Sequence, residues 1–142
     1  MSDQHERPER LPLLLAGDDD PWTIRRFQVS RWLMQRRSHM WRPPTDVFEN
    51  EDAFVVKVEV AGMKRSDFSI SFDRHLLTIQ GVRPDAGGMK AYHQMEIAYG
   101  EFICEVEVAV PIDSGGIEAV YADGFLRVTL PKLKPKNISI ES

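Results

Sequence analysis

The sequence predicts an all-β protein built as an antiparallel sandwich. Three observations carry this: from Phe54 onward apolar and polar residues alternate with period two, the alternating runs are short and separated by turn residues, and no stretch shows convincing helical periodicity. The first clear run, residues 54–60, is apolar at every even position and carries Lys57 and Glu59 at odd ones. Residues 67–73 repeat the alternation through Phe68, Ile70 and Phe72, and residues 76–80 set Leu77 and Ile79 to one side. Residues 102–110 form the longest run, again apolar at every even position, which puts Cys104 on the inward side as a small core residue. Residues 117–121 and 126–130 complete the set, joined through Asp123-Gly124, a pair suited to a tight hairpin because glycine accepts positive φ at no steric cost. Breaks fall at Gly62, Asp73-Arg74, Pro84 to Gly88, Gly100, Pro111 to Gly116, Pro131 and Pro135.

The 142 residues have room for about one domain, with 42% hydrophobic and 28% charged residues, the balance of a globular chain. No apolar run approaches the roughly 20 residues of a membrane-spanning helix, since residues 11–16 are too few and contain Pro12. The first nine residues mix Asp3, Glu6 and Arg7 and lack the order of a secretory leader, so the expected location is cytoplasmic. A lone cysteine forms neither an internal disulfide nor a cysteine-only zinc site.

The net charge of −4 conceals a partition. Residues 1–45 hold 8 basic and 6 acidic residues and residues 46–142 hold 10 and 16, giving +2 and −6. Three units are expected: an N-terminal arm over 1–45, partly disordered or helical, a sandwich domain over 46–132, and a short tail over 133–142. Residues 82–98, between two strong strand runs, exceed a hairpin turn, contain Pro84 and Gly87-Gly88, and are expected to project as an interaction element.

In order and spacing these residues resemble the small heat-shock proteins built on the alpha-crystallin domain, an immunoglobulin-like sandwich, and the bacterial type in particular. The likeness spans about residues 46–140. It rests on Val55-Val56-Lys57-Val58-Glu59-Val60 before Ala61-Gly62, Leu76-Leu77-Thr78-Ile79-Gln80-Gly81, Tyr99-Gly100-Glu101-Phe102, the hairpin from Ala119 through Asp123-Gly124 to Pro131-Lys132, and Ile138-Ser139-Ile140. The resemblance implies a dimer in which a strand near Ala91, Tyr92, His93, Gln94 and Met95 adds to a neighbour's edge near Val47, Phe48 and Glu49. It implies that Ile138 and Ile140 anchor in a groove of another dimer formed by Phe68, Ile70, Ile117 and Ala119. It also implies ATP-independent binding of unfolding clients, held for ATP-dependent refolding chaperones, with no catalysis and no cofactor. Ala61 and Ala109 stand where the family usually has proline. Cys104 stands where arginine is common, which removes a charge near the dimer contact.

The arm adds Trp22, Ile24, Phe27, Val29, Trp32, Leu33, Met34, Met40 and Trp41 among six arginines, a client-binding or assembly surface if exposed and a packed helix if covered. The same basic aromatic stretch supports a rival reading, a scaffold or a module that lies on anionic lipid or grips nucleic acid, opposed by Asp18 to Asp20 and the domain's negative sum. Enzyme chemistry finds no constellation: His5, His39, His75 and His93 are scattered, Glu105 and Glu107 alternate along a strand's polar face, and no phosphate-cradling loop occurs. The expectation is a holdase whose oligomer joints loosen on heating.

Overall fold

The computed structural model describes residues 40–135, residue 140, and the backbone pairing of residues 10, 11, 14 and 15. Among the described residues nine strands form two sheets: β1 Arg10–Leu11, β2 Leu14–Leu15, β3 Thr45–Glu49, β4 Ala53–Glu59, β5 Phe68–Asp73, β6 Leu76–Arg83, β7 Gly100–Glu107, β8 Glu118–Ala122 and β9 Phe125–Pro131. One sheet has the order β1-β8-β9-β4-β3 and the other β2-β5-β6-β7. Every pairing is antiparallel except β2 with β5. The expected sandwich is therefore present, and the described residues contain no helix beyond two short 3-10 turns, Arg65–Asp67 and Ser114–Gly116.

Period two supplies the core because residues opposite one another across a ladder point to the same face. In the first sheet Ala119, Val128 and Val56 lie in register, and in the second Ile70, Ile79 and Cys104. All six are buried in one apolar cluster between the sheets. Full burial of such a Val, Leu, Ile or Phe side chain contributes about 1.5–3 kcal/mol. Val55 is buried as well, although it sits at an odd position outside that cluster, opposite Phe48 on β3 and Thr129 on β9.

Two two-residue hairpins set the strand order. Asp123 and Gly124 have φ of 54° and 83°, the left-handed pair that matches strand twist. Arg74 and His75 adopt the same hand, at 47° and 67°, between β5 and β6 without a glycine. Two strand ends differ from the alternation. β6 continues to Arg83 because β7 pairs with it as far as Gly100, and β7 stops at Glu107. The Val108 N–H then turns to the His75 carbonyl at 2.7 Å, so Val108 stays buried without being in the ladder.

Candidate functional site

The sandwich has two lateral sides, each made by one edge from each sheet. On the first side β8 lies over β5. Phe68 on β5 and Tyr121 on β8 meet with ring centroids 5.0 Å apart, and Phe68 also leans on Phe102 at 6.2 Å. Tyr121 is held by its hydroxyl, which donates to the Val60 carbonyl at 2.8 Å and accepts from the Met63 N–H at 3.3 Å. The four residues expected to wall a tail-accepting groove belong to or pack against one apolar cluster on this side: Ile70 and Ala119 are buried, and Phe68 and Ile117 are half-buried. Tyr121 belongs to this wall too. Its alternation marked it as a strand residue, but only the packing shows its ring against Phe68.

The outer edges of this side carry a feature that the sequence did not disclose. Residues 10 and 11 pair with Val120 and Ala119 of β8, and residues 14 and 15 pair with Ser71 and Phe72 of β5. One short segment of the arm therefore borders both sheets. Where the tail leaves the domain, the Lys132 N–H donates to the Asp52 carbonyl at 2.8 Å and the Leu133 N–H to the Pro111 carbonyl at 3.0 Å. Ile138 lies outside the described residues, and Ile140 is 91% exposed.

The second side brings β3 over β7, tied by a 3.4 Å contact between Thr45 Oγ1 and Cys104 Sγ. Burial pushes the Cys104 thiol pKa up, with the Thr45 hydroxyl and Arg42 pulling the other way. Val47 and Phe48 on β3 are each 43% exposed, and the outer edge of β3 is not paired among the described residues. Trp41, counted with the arm by its sequence, instead docks on β7. Its N–H donates to the Glu101 carbonyl and its carbonyl accepts from the Ile103 N–H, both at 3.2 Å, while its indole N–H donates to Gly100 and its ring meets Phe102 edge-on at 5.4 Å. The Arg83 guanidinium stacks 4.4 Å from the same indole and donates to the Ala98 carbonyl. The remaining arm residues, Trp22, Ile24, Phe27, Val29, Trp32, Leu33 and Met34, lie outside the described residues.

Residues 84–99 join β6 to β7 without forming a strand. Ala91, Tyr92, His93, Gln94 and Met95 are all exposed, as are Met89 and Ile97. Within the loop Lys90 and Asp85 pair at 3.1 Å, with the Tyr92 hydroxyl donating to the same carboxylate. Lys90 holds the Asp85 carboxyl below its ordinary pKa, and Asp85 raises that of Lys90. No group of acids, histidines and cysteine capable of holding a metal occurs among the described residues.

Compared with known proteins, residues 46–141 match the profile of the Hsp20/alpha crystallin family. Small heat shock protein C2 of Rickettsia felis is 33% identical over 92 residues, 63% of this chain and 60% of that protein. The 17.7 kDa class II heat shock protein of Arabidopsis thaliana is 31% identical over 139 residues, 90% of this chain and 88% of that one. Among solved structures, heat shock protein 16.0 from Schizosaccharomyces pombe superimposes with a TM-score of 0.60 at 31% identity, covering 71% of this chain and 99% of that chain.

Proposed function

The chain belongs to the Hsp20/alpha crystallin family of small heat shock proteins, non-enzymatic chaperones of the stress response, and from that membership we propose that it is an ATP-independent holdase acting as a dynamic oligomer of strand-swapped dimers. It binds unfolding proteins, prevents their aggregation and releases them to ATP-dependent refolding chaperones. The observation that carries this reading is apolar surface that a lone chain leaves uncovered: Met89, Tyr92, Met95 and Ile97 on the loop, and Val47 and Phe48 at a sheet edge. An unpaired edge accepts another strand, and a projecting apolar loop supplies one, so reciprocal exchange between two copies covers both at once.

The tail adds the second joint. Ile140 is exposed rather than packed on its own domain, which supports its use as an anchor on another dimer. Burying two isoleucines at about 1.5–3 kcal/mol each makes a weak, reversible link, and many such links in one particle reinforce one another. Ile138→Ala with Ile140→Ala is expected to reduce particle mass by light scattering; unchanged mass refutes the anchor. The holdase reading is tested by heating a thermolabile enzyme with excess chain and no nucleotide. Suppressed light scattering is expected, and equal aggregation with and without the chain rejects it. The rival reading of a lipid or nucleic-acid module draws on arm residues outside the described part, while Trp41, the arm tryptophan that is described, is engaged with Phe102.

A further inference from the structure

Arg83 stands at the neck of the projecting loop, beside the root of the arm. It ends β6 in register with Gly100, the first residue of β7, so these two residues form the neck from which residues 84–99 depart. Its Nε–H and an Nη2–H both donate to the Ala98 carbonyl, the former at 2.8 Å, which fastens the end of the loop to its beginning. The flat guanidinium lies 4.4 Å from the Trp41 ring and 5.6 Å from the Tyr99 ring. Trp41 in turn is fixed to β7 through its main chain, its indole N–H and the edge of Phe102. A recess of about 710 Å³ opens among Trp41, Arg83, Pro84, Ile97 and Tyr99, so side-chain packing does not fill the neck and the guanidinium is what spans it. A planar fork that donates twice to one carbonyl while it stacks on rings is particular to arginine. A lysine ammonium keeps the charge but is compact, strongly hydrated and without a stacking plane.

We propose that Arg83 is a positioning residue for strand exchange between copies: it holds the loop neck in one arrangement and, through Trp41, ties that arrangement to the seating of the arm's root on β7. This rests on the reading, made above, that residues 91–95 add to the β3 edge of a second copy. A loop with a fixed neck has already lost part of the freedom that docking would otherwise remove, which favours the exchanged pair. Because one guanidinium serves both contacts, the coupling runs in both directions. Lifting Trp41 off β7 loosens the neck and speeds the parting of copies, and loosening the neck unseats Trp41. Whatever draws the arm away from the domain therefore also weakens the dimer joint.

The test mixes light and isotopically heavy full-length chains and follows the appearance of mixed dimers by native mass spectrometry. Every variant carries Ile138→Ala and Ile140→Ala, so that mixing reports the dimer joint alone. Arg83→Lys is expected to speed mixing about tenfold, the scale of one lost hydrogen bond from a charged donor, and to quicken hydrogen exchange at the Trp41 and Ile103 amides. Trp41→Leu is expected to speed mixing as well, and the double variant no more than the faster single one, because each substitution removes the same coupling. Tyr121→Phe, which weakens the opposite side of the sandwich, is expected to leave mixing unchanged. Equal mixing with and without Arg83→Lys, additive effects of the two substitutions, or equal speeding by Tyr121→Phe overturns the coupling while leaving strand exchange intact. A parent that runs as a monomer, or a dimer that survives replacement of residues 91–95 by glycine and serine, overturns the strand-exchange reading and the proposal together.

Discussion

A methyl group placed on residue 81 strikes the structure where its core and its groove meet. Gly81 stands in the middle of β6, opposite Phe68 on β5 and Phe102 on β7, and the two phenyl rings meet over it. A Cβ there would contact the Asp67 carbonyl oxygen and lie 2.7 Å from Phe102 Cζ and 3.0 Å from its Cε1. Carbon atoms pack best at about 3.5–4.0 Å, so something has to move. Phe102 is fully buried, and Asp67 is held by its carboxylate, which accepts the Lys64 N–H at 2.7 Å. Overpacking of this kind costs about 1–3 kcal/mol, and a restricted unfolded state returns about 0.4–1. Gly81→Ala is therefore expected to destabilise the domain by about 1–1.5 kcal/mol, the cost less the return, which lowers Tm by about 4–12 °C at 4–8 °C per kcal/mol. The assay is urea and thermal unfolding followed by circular dichroism, in the Ile138→Ala/Ile140→Ala background to limit assembly. Gly115→Ala is the control, because its Cβ would meet only Asp113 Oδ1 at 3.7 Å. A Gly81→Ala protein that melts within about 2 °C of its parent would refute the argument that the rings are locked over a bare backbone.

Three further expectations follow from the packing and hydrogen bonding of the domain. Tyr121→Phe removes the donor to the Val60 carbonyl and the acceptor of the Met63 N–H, and is expected to cost about 1–2 kcal/mol in urea unfolding; no change would mean that solvent satisfies both groups. The two hairpins respond oppositely to glycine. Gly124→Ala, at φ 83° and 3.3 Å from Ala61 Cβ, is expected to lose about 1–2 kcal/mol, while His75→Gly, at φ 67°, is expected to gain a few tenths of a kcal/mol in the same measurement, near-cancelling terms in Tm. Cys104 is expected to resist thiol reagents at pH 8 in the folded protein and to react fully in urea. Because its folded pKa is raised, the stability of its buried neutral thiol is complete below the ordinary thiol value of about 8.5 and is lost as pH rises through the folded value. Cys104→Ala is expected to lack that alkaline loss.

The departures from the alternation have local physical causes. Trp41 looks like an arm residue because it sits among arginines and aromatics, yet one bridge to β7 and one aromatic contact attach it to the domain. Val55 occupies a position that alternation assigns outward, yet it is buried, opposite Phe48 and Thr129 on the neighbouring strands. Arg74 and His75 turn as tightly as Asp123-Gly124 without the glycine that would have announced it. In the candidate groove, Phe68, Ile70, Ile117 and Ala119 came from resemblance to a family, and what brings them together is that β5 and β8 lie on one side of the sandwich, next to the short strands β2 and β1.

Residue order alone revealed the strands from β4 to β9 approximately, the Asp123-Gly124 turn, the inward face of each run and the inward placement of Cys104. These follow from period two and from backbone preferences, which act over a few residues. Long-range pairing settled the rest: which strands end a sheet, which sides of the two sheets lie together, that Phe68 and Phe102 close over Gly81, and that residues 10 and 11 pair with β8 and residues 14 and 15 with β5. Alternation tells a side chain which face it belongs to, but the partner of an edge is chosen by whatever backbone reaches its open row of donors and acceptors, and that choice is made only when distant parts of the chain are brought together.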